Sequence, residues 1–129
     1  MASSTMPHMP VFWLPYGPHN GPGRFKSSTS HMTVMECLIM PLRKQDAQLI
    51  ANFEQTFKSP GLSIIPIDEP VLRAAAQLRA THKSLRTPDA IHAASCFSTN
   101  ASLFVTNDRG FRAIPGLPLA LLDDILASP

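Results

Sequence analysis

The chain lacks acidic residues over its first quarter, and charge is scarce throughout. The first Asp or Glu of the 129 residues is Glu36, and only 16% of the residues are charged. A net charge of +2 at pH 7 is too small to indicate a nucleic-acid partner by itself. Two cysteines, Cys37 and Cys96, lie outside any Cys-x-x-Cys or Cys/His metal spacing, which predicts buried free thiols.

Long apolar runs are absent as well. No stretch approaches the roughly 20 apolar residues that cross a bilayer, so we expect no transmembrane helix and no membrane partner. The first ten residues lack the basic segment and apolar block of a signal peptide, which makes the cytoplasm the expected location. There is also no glycine-rich phosphate loop and no Gly-x-Ser-x-Gly elbow. With these motifs absent, carboxylate oxygens are the remaining candidates for the chemistry of the chain.

Proline is present in excess near the amino terminus. The prolines there are Pro7, Pro10, Pro15, Pro18 and Pro22. Because proline forbids a regular helix and discourages a central strand, we expect residues 1–30 to form an irregular or disordered tail. The folded domain is then expected to span residues 31–129.

Hydrophobic periodicity predicts alternating helices and strands from Met32 onward. Met32, Met35, Ile39 and Leu42 recur at helical spacing. Further helices are predicted over residues 45–58 and 69–83, and strands over residues 62–67, 103–105 and 117–122. This order is typical of an α/β layer fold with crossover connections.

The stretch from Leu85 to Phe111 carries two carboxylates in distinctive places. Thr87 is predicted to cap a helix in which Pro88 takes the first position and Asp89 lies in the first turn. Asp108 follows the apolar run of the strand at residues 103–105. Ligands of parallel α/β sheets bind beyond the carboxyl ends of the strands, so both carboxylates are expected at one crevice. Helix capping by Asp89 and turn formation by Asp108 are the alternatives.

Carboxylates gathered at one crevice favour a hard cation. They repel each other unless a cation such as Mg²⁺ or Mn²⁺ neutralises them, and such an ion can activate water against a phosphodiester. Glu36, at the border of the first helical stripe, could join them or be a solvated surface charge. Basic residues nearby could form a rim for phosphates or simply face solvent. They are Arg73, Arg79, Lys83 and Arg86.

Two motifs in this order resemble the carboxyl-terminal half of PIN domains, in particular VapC-type toxins. The motifs are Thr-Pro-Asp-Ala-Ile-His-Ala-Ala from Thr87 and Leu-Phe-Val-Thr-Asn-Asp-Arg-Gly-Phe from Leu103, with Thr-Val-Met-Glu upstream. The resemblance implies a PIN-like three-layer α/β fold with a mainly parallel sheet. It also implies an endoribonuclease that uses Mg²⁺ or Mn²⁺, cuts RNA and is blocked by a cognate antitoxin, with a homodimer common in the family.

The resemblance also assigns roles to individual residues. Glu36, Asp89 and Asp108 match the family's catalytic and metal-binding acids. Thr106 and Asn107 match the polar residues that help to position the water or the metal ligands. His92 and Arg109 lie close to these motifs and are expected to be supporting or surface residues.

The chain departs from the family at its amino terminus. PIN domains begin with an apolar strand that ends in Asp-Thr-Asn or a similar sequence, and no aspartate precedes Glu36 here. We therefore expect an N-terminally incomplete PIN-like fold, which corresponds to the carboxyl-terminal three quarters of the domain. Two functions stay open: a toxin-type PIN ribonuclease that is impaired by the missing aspartate, and a non-catalytic, truncated PIN remnant that binds antitoxin or RNA.

Overall fold

The computed structural model describes residues 11–15 and 25–127, and side chains from Lys26 onward. Within these ranges a single sheet contains five strands. They are β1 (Val11–Pro15), β2 (Phe25–Ser30), β3 (Leu62–Ile65), β4 (Leu103–Thr106) and β5 (Leu119–Leu121). The strand order is β3-β2-β1-β4-β5. Strands β2, β3, β4 and β5 share one direction, and β1 runs against both of its neighbours, so the sheet is mainly parallel as predicted.

The amino-terminal segment supplies two of these strands, and the expectation that it is irregular through residue 30 is wrong there. Val11–Pro15 occupies the centre of the sheet, antiparallel to β2 and β4. The physical reason lies in the spacing of the prolines: Val11 to Leu14 is an uninterrupted run of strand-forming residues, and Pro15 ends it. Residues 1–10 and 16–24 lie outside the described residues, and for them the irregular tail stays a prediction.

Helices lie between the strands and after the last one on the described part of the chain. They are α1 (His31–Arg43), α2 (Ala47–Phe57), α3 (Glu69–Thr81), α4 (Thr87–Ser98) and α5 (Leu122–Ala127), with a 3-10 helix at Arg109–Ala113. Asp68 caps α3, as predicted, by accepting the Val71 N–H at 3.1 Å. Asn100 adopts φ 51° just after α4 and terminates that helix, also as predicted. Among these described helices, none is long and apolar enough to cross a bilayer.

The buried face of helix α1 is not the apolar stripe that the sequence predicted. Its buried residues are Thr33, Cys37 and Pro41. The apolar stripe seen in the sequence lies mainly outside. Its exposed members are Met35 (54%), Ile39 (39%) and Leu42 (58%). Pro41 lies in the last turn of α1, so it ends the helix within two residues and does not kink its middle.

The core lies mainly around α4, which packs against α3 and β2. Ala90, Ala93 and Ala94 are at most 1% exposed, and these small side chains allow the close approach of neighbouring elements. Phe104 of β4 packs on Phe111, with ring centroids 4.9 Å apart. Both cysteines are buried and free, as predicted. The sheet and this core therefore hold the amino end of α4 and the carboxyl end of β4 in fixed relation.

Candidate active site

Asp89 lies in the first turn of α4 and is half-buried. The cap position before the helix is Arg86, in extended conformation and without a side-chain capping bond, so the predicted cap at Thr87 is wrong. Thr87 is instead the first helical residue, and its Oγ1 accepts a hydrogen bond from Arg79 Nη1 at 3.0 Å. Arg79 Nε also donates to the Leu85 backbone oxygen at 3.1 Å. Arg79 thus ties the loop before α4 to α3 and steadies the turn that carries Asp89.

Several influences act on the pKa of the Asp89 carboxyl in opposite directions, and together they raise it. Burial, which penalises the charged form, raises it most. Arg86, whose Nε lies 3.5 Å from Asp89 Oδ2, lowers the pKa, and the negative charge of Asp108 raises it. The influence of Asp108 indicates that the two carboxylates are close enough for their charges to interact, and a shared crevice stays a prediction.

Asp108 is held at the carboxyl end of β4 by its own turn. Its Oδ1 accepts the Gly110 N–H at 2.8 Å, and its backbone N–H donates to Thr106 Oγ1 at 3.1 Å. A side chain at position 110 would place its Cβ 3.0 Å from the same Oδ1, so glycine leaves room for the carboxylate. Asn107 Oδ1 accepts the Asp123 N–H at 3.1 Å and so ties this turn to α5. Thr106 and Asn107 therefore shape the turn around Asp108.

Glu36 reaches α4 from α1. Its Oε1 lies 2.5 Å from His92 Nε2, a contact across 56 residues of sequence. The His92 side chain is 2% exposed and the Glu36 side chain 26%. His92 is therefore an interior residue, so of the two expected alternatives the surface one is wrong and the supporting one stays a prediction. The available signal was its spacing, because His92 follows Asp89 by three residues and shares its helix face.

The basic residues that were expected to form a rim differ in the contacts that they make. Arg73 pairs with Glu69 at 2.7 Å on the outside of α3, and Arg79 is committed to the loop before α4. Arg86 is 77% exposed and lies beside Asp89. Of the four arginines and lysines expected to form a rim, Arg86 is the one with a described contact to a candidate site acid.

The donors at this crevice suit a hard cation in part. Mg²⁺ is commonly held by one or two carboxylates together with waters and substrate phosphate, and Asp89 and Asp108 supply two carboxylates. Within residues 26–127, however, no three His, Cys, Asp or Glu side chains are grouped closely enough to hold a metal ion. The charge of Asp108 acts on Asp89, and a direct contact ties Glu36 to His92. Glu36 as a third metal ligand stays a prediction.

Comparisons with known proteins give one family match and two related structures. The family model described as the PIN domain matches residues 24–117. The chain is similar to a structure of VapBC2 from Rickettsia felis bound to a promoter DNA fragment, with 21% identity, 73% of each chain covered and a TM-score of 0.63. It is also similar to a toxin–antitoxin complex from Klebsiella pneumoniae, with 25% identity, 68% of each chain covered and a TM-score of 0.56. No curated protein matches.

Proposed function

Because the chain belongs to the PIN-domain family, we propose that it is a toxin-type, metal-dependent endoribonuclease that hydrolyses phosphodiester bonds in RNA. The observation that supports this proposal is the electrostatic interaction of the two carboxylates, in which the negative charge of Asp108 raises the pKa of Asp89. The similarity to chains of toxin–antitoxin complexes supports the toxin type. Two buried free cysteines fit a reducing cytoplasm.

Asp89 and Asp108 are the residues that would hold Mg²⁺ or Mn²⁺, with Glu36 as a further ligand directly or through water. The ion would supply positive charge that activates water and stabilises the ribose oxygen that leaves when the phosphodiester bond breaks. The protein's own contribution is to keep the acids close despite their repulsion, through the buried position of Asp89 and the turn around Asp108. Thr106 and Asn107 position Asp108 through that turn.

Arg86 completes the proposed substrate site. Its side chain is 77% exposed and its guanidinium lies beside Asp89, where a phosphate would approach the proposed site. A guanidinium binds phosphate in a planar, bidentate manner, which would offset the repulsion between the RNA backbone and these acids. Arg86 thus favours RNA entry without being a ligand of the metal.

We propose an antitoxin as the protein partner. The exposed stripe of Met35, Ile39 and Leu42 on α1 is the kind of apolar helix face that a partner helix covers. Its position on the helix that carries Glu36 would let a partner on this face also restrict access to the acids. A homodimer, which the family resemblance also implies, would compete for such surfaces and is checked by light scattering with and without antitoxin.

The test is cleavage of a quenched fluorescent RNA by the purified chain with Mn²⁺. We expect cleavage that is abolished by EDTA and reduced at least about 100-fold by Asp89→Asn, since removing one carboxylate weakens both metal binding and water positioning. Glu54→Gln, an exposed carboxylate change on α2, is the matched control and should leave the rate unchanged. Cleavage that survives EDTA contradicts the proposal.

A second function has support in the same residues. The chain has no acid before Glu36, and the described side chains form no three-residue metal group. These observations favour a non-catalytic PIN remnant that binds antitoxin or RNA. This second function predicts that RNA or antitoxin binding persists in EDTA and in Asp89→Asn. It also predicts no cleavage in any condition.

A further inference from the structure

We infer that His92 is a positioning residue that fixes the orientation of the Glu36 carboxylate against α4, the helix that carries Asp89. The inference rests on the proposed function, because that function gives Glu36 a task there. The contact itself is direct: His92 Nε2 and Glu36 Oε1 are 2.5 Å apart and join α4 to α1.

Burial makes His92 the fixed partner of the pair. Its side chain is 2% exposed, whereas Glu36 is 26% exposed on the border of α1. A glutamate in that setting has three rotatable bonds and would sample several rotamers without a partner. A hydrogen bond from a buried imidazole to a carboxylate is short and strong, and it selects one of them.

The same imidazole also faces Asp89. His92 lies three residues after Asp89 on α4, and its electrostatic interaction with Asp89 lowers the pKa of that carboxyl. One ring therefore acts on two acids that come from different helices. Holding Glu36 through His92 places its carboxylate on the side of α4 that carries Asp89.

Packing alone does not explain a histidine at this place. Its Nδ1 is buried and has no hydrogen-bond partner among the described residues. An unpaired buried polar atom destabilises the folded state, and a leucine would fill the core without that cost. The Nε2 bond to Glu36 is thus what the histidine supplies, and this bond requires a hydrogen on Nε2.

The first arm of the test needs no metal. Three-bond NMR couplings of the Glu36 side chain should report one rotamer in the wild type and averaged rotamers in His92→Leu. His92→Gln should restore one rotamer, because the glutamine amide Nε2 can donate to the same oxygen. Ser95→Ala is the matched control, since Ser95 is equally buried on α4 and its hydroxyl donates to the Ile91 backbone oxygen at 2.8 Å, within the same helix. It should keep the Glu36 rotamer. Averaged Glu36 couplings in the folded wild type overturn the inference.

The second arm measures Mn²⁺ binding by water-proton relaxation. We expect His92→Leu to weaken Mn²⁺ binding about 10-fold, as loss of a residue that orients a ligand does, and the double variant with Glu36→Gln to be no weaker than Glu36→Gln alone. Unchanged Mn²⁺ affinity in a folded His92→Leu chain also overturns the inference. A wild type that binds no Mn²⁺ but keeps one Glu36 rotamer contradicts the proposed metal chemistry and still supports positioning by His92.

Discussion

Asp89, a proposed metal ligand, carries a cost in stability. Its pKa lies above the ordinary value of 3.8, chiefly because of burial, so the folded chain binds this proton more tightly than the unfolded chain does. For an acid shifted in this direction, stability falls as pH rises through the interval between the two pKa values. Above that interval the ionised carboxylate opposes folding.

We therefore expect Asp89→Asn to melt at the same temperature as the wild type or higher at pH 7, in EDTA. The difference should shrink as pH falls below the ordinary carboxyl range, since both side chains are then neutral. Thermal unfolding followed by circular dichroism from pH 3 to pH 8 measures this. Glu54→Gln, exposed on α2, serves as the control without such a trend. An Asp89→Asn chain that is clearly less stable at pH 7 would contradict the burial argument.

The cysteines give a second residue-level prediction. Burial raises the pKa of the Cys96 thiol to about 12, and Cys37 and Cys96 are each 1% exposed. Since the thiolate is the reactive form, the native chain should show no fast reaction with Ellman's reagent at pH 8. Two thiols should react at once in guanidinium. One prompt equivalent in native buffer would mean that the interior around α4 opens readily.

At the scale of elements, Arg79 joins α3 to the loop and the first residue of α4. It bonds both the Leu85 oxygen and Thr87 Oγ1 from α3. We expect Arg79→Ala to lower the free energy of unfolding by about 1–2 kcal/mol and to speed hydrogen exchange in the first turn of α4.

The control for that prediction lies on the same helix. Arg73 makes only a solvent-exposed pair with Glu69 among the described residues, so Arg73→Ala should change the free energy of unfolding by less than about 0.5 kcal/mol. Urea denaturation of the two variants measures the contrast. Equal losses would show that the bonds made by Arg79 do not hold the loop.

The sequence predicts the elements that carry strong local signals. Helix α3 begins after its Asp68 cap, and α4 and β4 lie within one or two residues of their predicted bounds, because periodicity and turn residues act locally. Helix α5 was missed because six residues show no full period. The contact of Glu36 with His92 could not be predicted, since nothing local in α1 reports a partner 56 residues away.

At the scale of the whole molecule, β1 holds the two halves of the sheet together. It lies between the β3-β2 pair and the β4-β5 pair, and Phe12 is the register partner of Ser28 on one side and Phe104 on the other. Because of the proline content around it, the sequence did not predict this strand. No sequence pattern indicated that it runs antiparallel to its neighbours. A central strand has neighbours for every backbone N–H, so proline cannot be accommodated inside it.

We expect Phe12→Pro to lower the free energy of unfolding by at least about 2 kcal/mol, through loss of a strand hydrogen bond and the strain of the ring. Phe12→Val loses the same aromatic ring but keeps the N–H and a strand-forming residue, so the difference between the two variants isolates the backbone. Chemical denaturation measures both. Equal stability of the two would contradict the central position of β1.

The place of β1 also governs the order in which the molecule can be assembled. Val11 pairs with Val105, and most of the chain is synthesised between them. Strands β2 and β3 can pair early, but the sheet closes only when β4 arrives, after a long interval in which strand edges are open. Contacts of such long sequence separation slow folding, and open edges favour aggregation. Nascent copies of this protein should therefore depend on chaperones until synthesis has passed β4.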